Sequence, residues 1–212
     1  RLLLAELDGK IRDEIDIPGV SSFSNPTWSP DGKTIVVNGL VNGQSDLFAY
    51  NLESKKVKQL TNDPWSDFQP QFSPDGQTIA FVTDRFNEPG NAAPQGYAHN
   101  IALYNLTTGE ITHLDFFRGA NNMNPFFGPD PTTLYFLSDR DGLRNLYTYN
   151  LATKQIIQRT NLFIGITGIT PYSPAISVSR KTGEVGYSYY HDNRHFINKA
   201  KPAASEKIEV AP

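Results

Sequence analysis

Short apolar runs separated by polar turns recur along this chain, and residues 69–82 show the pattern most fully. A strand ending at Phe72 is followed by a Ser-Pro-Asp-Gly turn at 73–76 and an apolar run at 79–82. Pro74 presets φ at the second turn position, and Gly76 supplies the positive φ with which a type I turn closes through a bulge. The pattern predicts a β-hairpin whose second strand is buried on both faces.

The same hairpin pattern occurs four times. Its anchoring prolines lie at 26, 70, 125 and 174, so the copies are 44, 55 and 49 residues apart. The copy at 124–136 differs at the turn, and the copy at 173–185 lacks Ser-Pro-Asp-Gly. A second motif, Asp/Asn-Leu/Ile-x-x-Tyr-Asn-Leu, keeps step at 46–52, 100–106 and 145–151, and each is followed by a polar turn and one short strand. Each copy therefore predicts four strands.

A period of about 40 to 50 residues with four strands is typical of a β-propeller blade. We predict an all-β fold: a β-propeller of four-stranded antiparallel blades, with about four complete blades and an N-terminal half-blade. The half-blade covers 1–20, and the blades cover 21–62, 63–118, 119–161 and 171–210. In the last blade, 194–200 is the expected third strand and 207–210 a candidate fourth.

The register of the half-blade suggests how the chain relates to a whole propeller. Arg1 aligns with Asp46, at the start of a third strand, so the chain opens in the middle of a blade. We favour a fragment of a larger propeller over a five-bladed ring closed by irregular terminal strands. Other domains of a larger parent protein are candidate partners. An open arc would expose apolar surface between blades, which predicts association or instability.

The composition of the chain limits the classes of molecule that it is expected to bind. A formal net charge of -3 gives no reason to expect nucleic acid or an anionic membrane. The chain has no cysteine, which excludes disulfides and thiolate metal sites. No apolar run has the length of a membrane helix, so we expect no membrane insertion.

These residues resemble the WD40-like propeller repeats of the TolB family. The match is carried by the Pro-x-aromatic-Ser-Pro-Asp-Gly hairpin, the Asp-Arg pairs at 84–85 and 139–140, and the third-strand motif. The resemblance implies an extracytoplasmic, often periplasmic, scaffold that binds proteins. Similar repeats also build the propellers of prolyl-oligopeptidase-like peptidases, and fold alone does not settle function.

The sequence contains little evidence for a catalytic site or a metal site. The chain has no Gly-x-Ser-x-Gly elbow, His-Glu-x-x-His helix or Gly-rich phosphate loop. His191 and His195 are expected in a turn, where helical spacing cannot make them a metal pair, and His99 and His113 are isolated. We predict no catalytic residue, metal or cofactor.

The acidic loop at 139–142 lacks the later ligands of a calcium site. We expect Asp84 and Asp139 to cap turns by accepting backbone N–H bonds, and Arg85 and Arg140 to pair with neighbouring blades.

The sequence supports the binding of a partner better than it supports catalysis or metal binding. In a propeller, the connections between second and third strands and those between blades emerge on one face, around the central channel. Here that face collects an insertion at 85–97 and an unusually apolar connection at 162–170. Aromatic residues among polar neighbours often anchor interfaces. The candidate partner-binding residues are Trp65, Asp67, Phe68, Asn122, Asn124, Phe163 and Tyr172.

The sequence therefore favours a noncatalytic propeller scaffold of the cell envelope that binds a protein or peptide through its loop-rich face. One alternative is the substrate-gating propeller of a prolyl-oligopeptidase-like serine peptidase whose catalytic domain lies outside this chain. A second alternative, a metal-dependent propeller lyase, requires His191 and His195 to turn into the channel beside other ligands.

Overall fold

The computed structural model describes residues 1–85, 98–114 and 116–201, together with the backbone of 208–210. In this part of the chain the regular structure consists of β-strands joined by turns. The first two strands, β1 (Leu2–Ala5) and β2 (Ile11–Ile15), form an antiparallel two-stranded sheet.

Four antiparallel sheets follow, and each is one blade with its strands in chain order. The first blade contains β3 (Ser22–Trp28), β4 (Thr34–Val41), β5 (Gln44–Asn51) and β6 (Val57–Gln59). The second contains β7 (Asp67–Phe72), β8 (Thr78–Thr83), β9 (Asn100–Asn105) and β10 (Ile111–Leu114). The third contains β11 (Asn122–Phe127), β12 (Thr133–Ser138), β13 (Asn145–Asn150) and β14 (Ile156–Gln158). The fourth contains β15 (Ile176–Val178), β16 (Val185–His191) and β17 (Arg194–Ala200). The predicted all-β propeller of four blades is confirmed.

The last strand, β18 (Ile208–Val210), corrects the sequence interpretation. The segment 207–210 was the candidate fourth strand of the last blade, but β18 pairs antiparallel with β14 of the third blade. The third sheet therefore has five strands and the fourth has three. The outermost strand of a sheet has unpaired N–H and C=O groups along its free edge. β14 is the outermost of the four strands of the third blade, and β18 pairs with that free edge.

The apolar core lies between the sheets, with one cluster at each junction. Ile35 and Val37 of β4 pack toward the β1–β2 sheet, whereas Val36 packs toward the second blade. Likewise, Phe136 packs toward the second blade and Leu137 toward the fourth. Because side chains alternate along a strand, a second strand between two neighbouring blades must be apolar on both faces. This explains the uninterrupted apolar runs, and residues 79–82 are fully buried as predicted.

The Ser-Pro-Asp-Gly turns close by side-chain hydrogen bonds that repeat between blades. Ser73 Oγ donates to Asp75 Oδ1 at 2.5 Å and accepts from Thr78 N at 3.0 Å. Gly76 has the predicted positive φ, 70°. In the third blade glycine replaces the serine, and Asp130 Oδ1 accepts instead from the hydroxyl of Thr132 at 2.6 Å. The turn thus survives the loss of its serine.

The alternating strand direction gives the propeller two distinct faces. The turn face carries the links from first to second and from third to fourth strands. Over the described ranges, the loop face carries the links from second to third strands and the connections between blades, at 60–66, 116–121 and 159–175. Within the described residues, no helix is long and apolar enough to cross a membrane.

Candidate functional site

Two aspartates at the ends of second strands brace the loop face. Asp84 follows β8, and its Oδ1 accepts a hydrogen bond from Ser66 N at 2.7 Å. Asp139 occupies the same place after β12 and accepts from Asn121 N at 2.7 Å. Both accept backbone N–H bonds, as expected. The donors, however, lie in the connection that enters the blade, so each aspartate fixes the path of that connection.

The arginines that follow these aspartates also bind to the connections between blades. Arg85 was expected to pair with a neighbouring blade. Its Nη2 instead donates to Asp67 Oδ2 of its own blade at 3.0 Å and to Asp63 Oδ2 of the preceding connection at 2.6 Å. The guanidinium carbon of Arg140 lies 4.1 Å from the ring centroid of Phe117, in the connection that enters the third blade.

Asp67 is a structural residue of this framework. Its side chain is fully buried against Arg85. Burial raises the pKa of Asp67 to about 6, and the nearby Arg85 charge and hydrogen bonds from Thr83 and Thr61 oppose that rise. A carboxylate with no exposed surface cannot contact a partner directly, so Asp67 acts by holding the loop face in shape.

Asn122 and Asn124 are buried as well. Asn124 Oδ1 accepts from Ala175 N at 2.7 Å, which joins the third blade to the fourth. Gln69 of the second blade donates from Nε2 to Tyr172 O at 2.7 Å. These carboxamides tie three blades together where their first strands approach one another.

An aromatic trio lies directly above these carboxamides. It consists of Phe68 from β7, His99 from the residue pair before β9, and Tyr172 from the connection between the third and fourth blades. The ring centroids of Phe68 and Tyr172 are 6.0 Å apart, and those of His99 lie 5.2 Å and 5.7 Å from the two, all edge to face. Tyr172 is 57% exposed, so the trio offers an aromatic surface to solvent.

Hydrogen bonds to the connection that enters the third blade fix the histidine of the trio. His99 Nδ1 lies 3.2 Å from Asn121 Oδ1, and its carbonyl accepts from Asn122 N at 2.8 Å. His99 was predicted to be isolated; the fold brings it between two rings that are distant in sequence. A single histidine in the sequence does not indicate which distant residues it contacts. The sequence therefore did not predict the place of His99 between these two rings.

The two remaining candidate residues differ in exposure. Phe163 is 94% exposed in the apolar connection. Trp65 is half-buried, and its carbonyl accepts a hydrogen bond from Gln44 Nε2 of the first blade. Three of the candidates reach solvent on the loop face: Phe68, Tyr172 and Phe163. Three others are buried beneath the loop face and support it: Asp67, Asn122 and Asn124. Except for Arg85, the predicted insertion at 85–97 lies outside the described residues.

The histidine pair is not a metal site in this geometry. His191 pairs with Arg194 and His195 with Tyr190 across the β16–β17 hairpin. Side chains alternate along strands, so the two histidines point to opposite faces of the sheet. In the described part of the chain, no group of three His, Cys, Asp or Glu residues is arranged to hold a metal ion.

Comparison with known proteins agrees with this architecture. Residues 2–101 match the family model described as the TolB beta propeller domain, PD40. The chain is 28% identical over 155 residues to Tol-Pal system protein TolB of Francisella tularensis subsp. mediasiatica, an alignment covering 72% of this chain and 33% of that protein. It is 29% identical over 154 residues to dipeptidyl-peptidase 5 of Porphyromonas gingivalis, covering 67% of this chain and 21% of that protein.

The fold has counterparts among solved structures. TolB from Acinetobacter baumannii superposes with a TM-score of 0.69 at 18% identity, over 98% of this chain and 48% of that one. The chain spans about a third of the length of the curated TolB relatives that it matches. Together with the repeats along the sequence, these comparisons show that residues 2–101 are similar to the TolB beta propeller domain and that the chain shares the β-propeller fold of solved TolB structures.

Proposed function

We propose that this chain is a noncatalytic propeller scaffold that binds an extended segment of a partner protein on its loop face. The observation that carries the proposal is the aromatic trio of Phe68, His99 and Tyr172. Tyr172 is exposed, whereas Phe68 and His99 are partly buried, and the rings come from the second blade and from the connection between the third and fourth blades. Exposed aromatic rings held rigidly over polar groups are characteristic of interface anchors, because they bury much area at low entropic cost.

The polar groups around the trio favour binding over catalysis. Two carboxamides bond to the trio: Gln69 Nε2 donates to Tyr172 O, and Asn121 Oδ1 lies 3.2 Å from His99 Nδ1. Carboxamides do not exchange protons at neutral pH, so these two groups hold the trio in place and supply no catalytic proton. The carboxylates of this region, Asp67 and Asp139, are engaged by Arg85 and Asn121.

We infer an extracytoplasmic, periplasmic location in the cell envelope. The support is the similarity to proteins named as components of a Tol-Pal system, together with the match of residues 2–101 to the TolB propeller domain. The partner in this proposal is a protein of that compartment.

A second candidate function has its own support. The match to dipeptidyl-peptidase 5 involves 67% of this chain and 21% of that enzyme. In this candidate the chain is the propeller of a serine peptidase, and the loop face screens substrates for a hydrolase domain. A hydrolase domain with a nucleophile elbow in the full gene product would decide for it. A metal-dependent lyase is disfavoured, because His191 and His195 point to opposite faces of their sheet.

Selection from a displayed library of random peptides on the immobilised chain tests the proposal. We expect enriched peptides whose affinity falls at least tenfold for Tyr172→Ala. That change removes an exposed ring but keeps the carbonyl that Gln69 binds. The matched control is Trp28→Ala, since Trp28 is a similarly exposed aromatic residue at the turn-face end of β3. Enriched peptides that require Trp28 and tolerate Tyr172→Ala, or no enrichment at all, would overturn the proposal.

A further inference from the structure

A pocket of about 400 Å³ lies on the loop face, between the third blade and the connection that leads to the fourth. Its walls come from the link between β12 and β13, which contributes Leu143 and Arg144, and from the connection after β14, which contributes Ile164 and Ile169. Pro171 closes one side, and it is the residue directly before Tyr172 of the aromatic trio.

The connection that forms one wall has a fixed backbone. Ile166 is fully buried in the core between the third and fourth blades, and its N donates to Arg144 O at 2.7 Å. Thr167 bonds twice to β16: its N donates to Ser188 O at 3.0 Å, and its O accepts from Ser188 Oγ at 2.7 Å. These anchors lie on both adjoining blades, so the pocket shape is set before any partner arrives.

Two glycines permit this close packing. A Cβ at Gly165 would lie 3.2 Å from Arg144 N, and the residue has φ +66°. A Cβ at Gly168 would lie 2.7 Å from Ser173 O. A side chain at Gly165 would push the connection away from the link between β12 and β13, whereas one at Gly168 would collide with Ser173 of the same connection. Both glycines therefore permit the close packing of this wall.

The fixed backbone holds large apolar side chains in solvent. Ile169 is 84% exposed, and Ile164 and Leu143 are exposed by 44% and 40%. Ile169, Ile164 and Leu143 all line the pocket, and Phe163, which directly precedes Ile164, is also exposed to solvent. Rigid, clustered apolar exposure of this kind marks an interaction surface.

The pocket is lined by one cationic and one anionic side chain, Arg144 and Asp139. Arg144 is partly buried, and its Nη1 donates to Pro171 O at 3.2 Å. Asp139 also lines the pocket, but both of its carboxylate oxygens accept hydrogen bonds from Asn121, at 2.7 Å and 3.0 Å. A guanidinium has five N–H donors in a planar fork that matches a carboxylate, and the Pro171 bond occupies only one nitrogen.

We propose that this pocket binds a bulky aliphatic side chain of the partner segment, while an acidic side chain next to it pairs with Arg144. The inference rests on the proposed function, in which the loop face binds an extended protein segment, and it supplies the chemistry of that segment. The partner is thus an apolar–acidic stretch of a protein. The aromatic trio contacts the continuation of that stretch over Pro171.

The test uses an acetylated, amidated pentapeptide with leucine followed by glutamate at its centre, titrated into the whole chain by isothermal calorimetry. Versions with glutamine or lysine in place of glutamate change the charge without altering the protein. We expect the glutamine peptide to bind at least fivefold more weakly, and the lysine peptide more weakly still. Equal affinity of the glutamate and glutamine peptides would overturn the inference.

Protein variants locate the contact. Arg144→Gln is expected to weaken the glutamate peptide at least fivefold and to leave the glutamine peptide within twofold, because the two changes remove one shared interaction. Ile169→Ser is expected to weaken both peptides. The matched control is Arg12→Gln, an exposed arginine on β2 whose Nη1 lies 3.5 Å from Glu6 Oε1. Equal losses for both peptides with Arg144→Gln would contradict the assigned pairing.

The outcome is separable from that of the peptide selection. Selected peptides that depend on Tyr172 but carry no acidic residue, and that bind Arg144→Gln normally, would overturn the pocket chemistry and leave the binding face standing. If no peptide depends on Tyr172, the proposed function itself fails.

Discussion

Gln69 Oε1 accepts two hydrogen bonds from Asn124, one from the backbone N at 2.9 Å and one from Nδ2 at 2.8 Å. The two residues hold the same place in consecutive blades, directly before the repeat proline. Both have left-handed backbone angles, with φ of 50° and 54°, at a β-bulge in the first strand. The bulge turns each carboxamide toward the next blade, so a local irregularity becomes the link between blades.

This relationship predicts that Asn124→Ala destabilises the chain by about 3 kcal/mol, because it leaves Gln69 Oε1 and Ala175 N buried with lost partners. Asn25→Ala is the matched control. Asn25 precedes the repeat proline of the first blade with φ 51°, but it is half-exposed and its amide accepts only from Ser24 Oγ among the described residues. The backbone strain of alanine is therefore common to both variants.

Urea unfolding of the two variants provides the measurement. We expect Asn25→Ala to lose about 1 kcal/mol, so the difference isolates the carboxamide network. Equal losses for both variants would show that the network adds nothing beyond the backbone conformation.

Much of the fold could be predicted from the sequence because its signals are local and repeated. The Ser-Pro-Asp-Gly turns and the apolar runs after them predicted β4 and β8, and the variant turn at 128–131 with its apolar run predicted β12. The third-strand motif gave β5, β9 and β13, and its asparagine holds the following turn. Asn51 Oδ1, for example, accepts from Ser54 N at 2.8 Å, and Asn150 Oδ1 accepts from Thr153 N at 2.8 Å.

The rest depended on contacts between distant parts of the chain. Residues 207–210 have the pattern of a short strand, but nothing in that pattern chooses between the edge of their own blade and the edge of β14. Asp67 follows Trp65 and Ser66, and that sequence context indicated a surface residue. In the structure its side chain is buried and forms an ion pair with Arg85. The recurrence of Asn or Gln directly before the repeat prolines can be read from the sequence. Only the bulge geometry of the structure shows that these carboxamides form hydrogen bonds from one blade to the next.

The buried carboxyl of Asp67 predicts a pH dependence of stability. Burial raises its pKa from an ordinary 3.8 to about 6, so the folded chain holds this proton over a range in which the unfolded chain has released it. The resulting stabilisation is fully present below about pH 4 and is lost as the pH rises through about 6. The stability lost across this pH range is about 3 kcal/mol.

Thermal or urea unfolding from about pH 4 to about pH 7 checks this, with Asp67→Asn as the reference that cannot ionise. Relative to that variant, the wild-type chain should lose stability as the pH rises. Parallel stability curves for the two proteins would show that the pKa of Asp67 is not raised.

Gly39 in β4 predicts a steric effect at the inner edge of the first blade. A Cβ there would collide with Val20 Cγ1 and would lie 2.8 Å from Phe48 Cδ2. Gly39→Ala should therefore destabilise the chain by about 1–3 kcal/mol. The control is Gly186→Ala in β16, where the nearest atom to a Cβ is Ser177 O at 4.0 Å. Calorimetric melting should show no loss of stability for the control, because alanine there meets no clash and lowers the entropy of the unfolded chain. An equal loss in both variants would contradict the steric explanation.

The central claim is that the loop face binds an extended protein segment, and hydrogen–deuterium exchange with a selected peptide tests it most directly. Exchange should slow in residues 162–173 and around 66–68 on peptide binding, while the turn face at 51–56 and 73–78 remains unchanged. Protection confined to the turn face, with unchanged exchange at 162–173, would contradict the account.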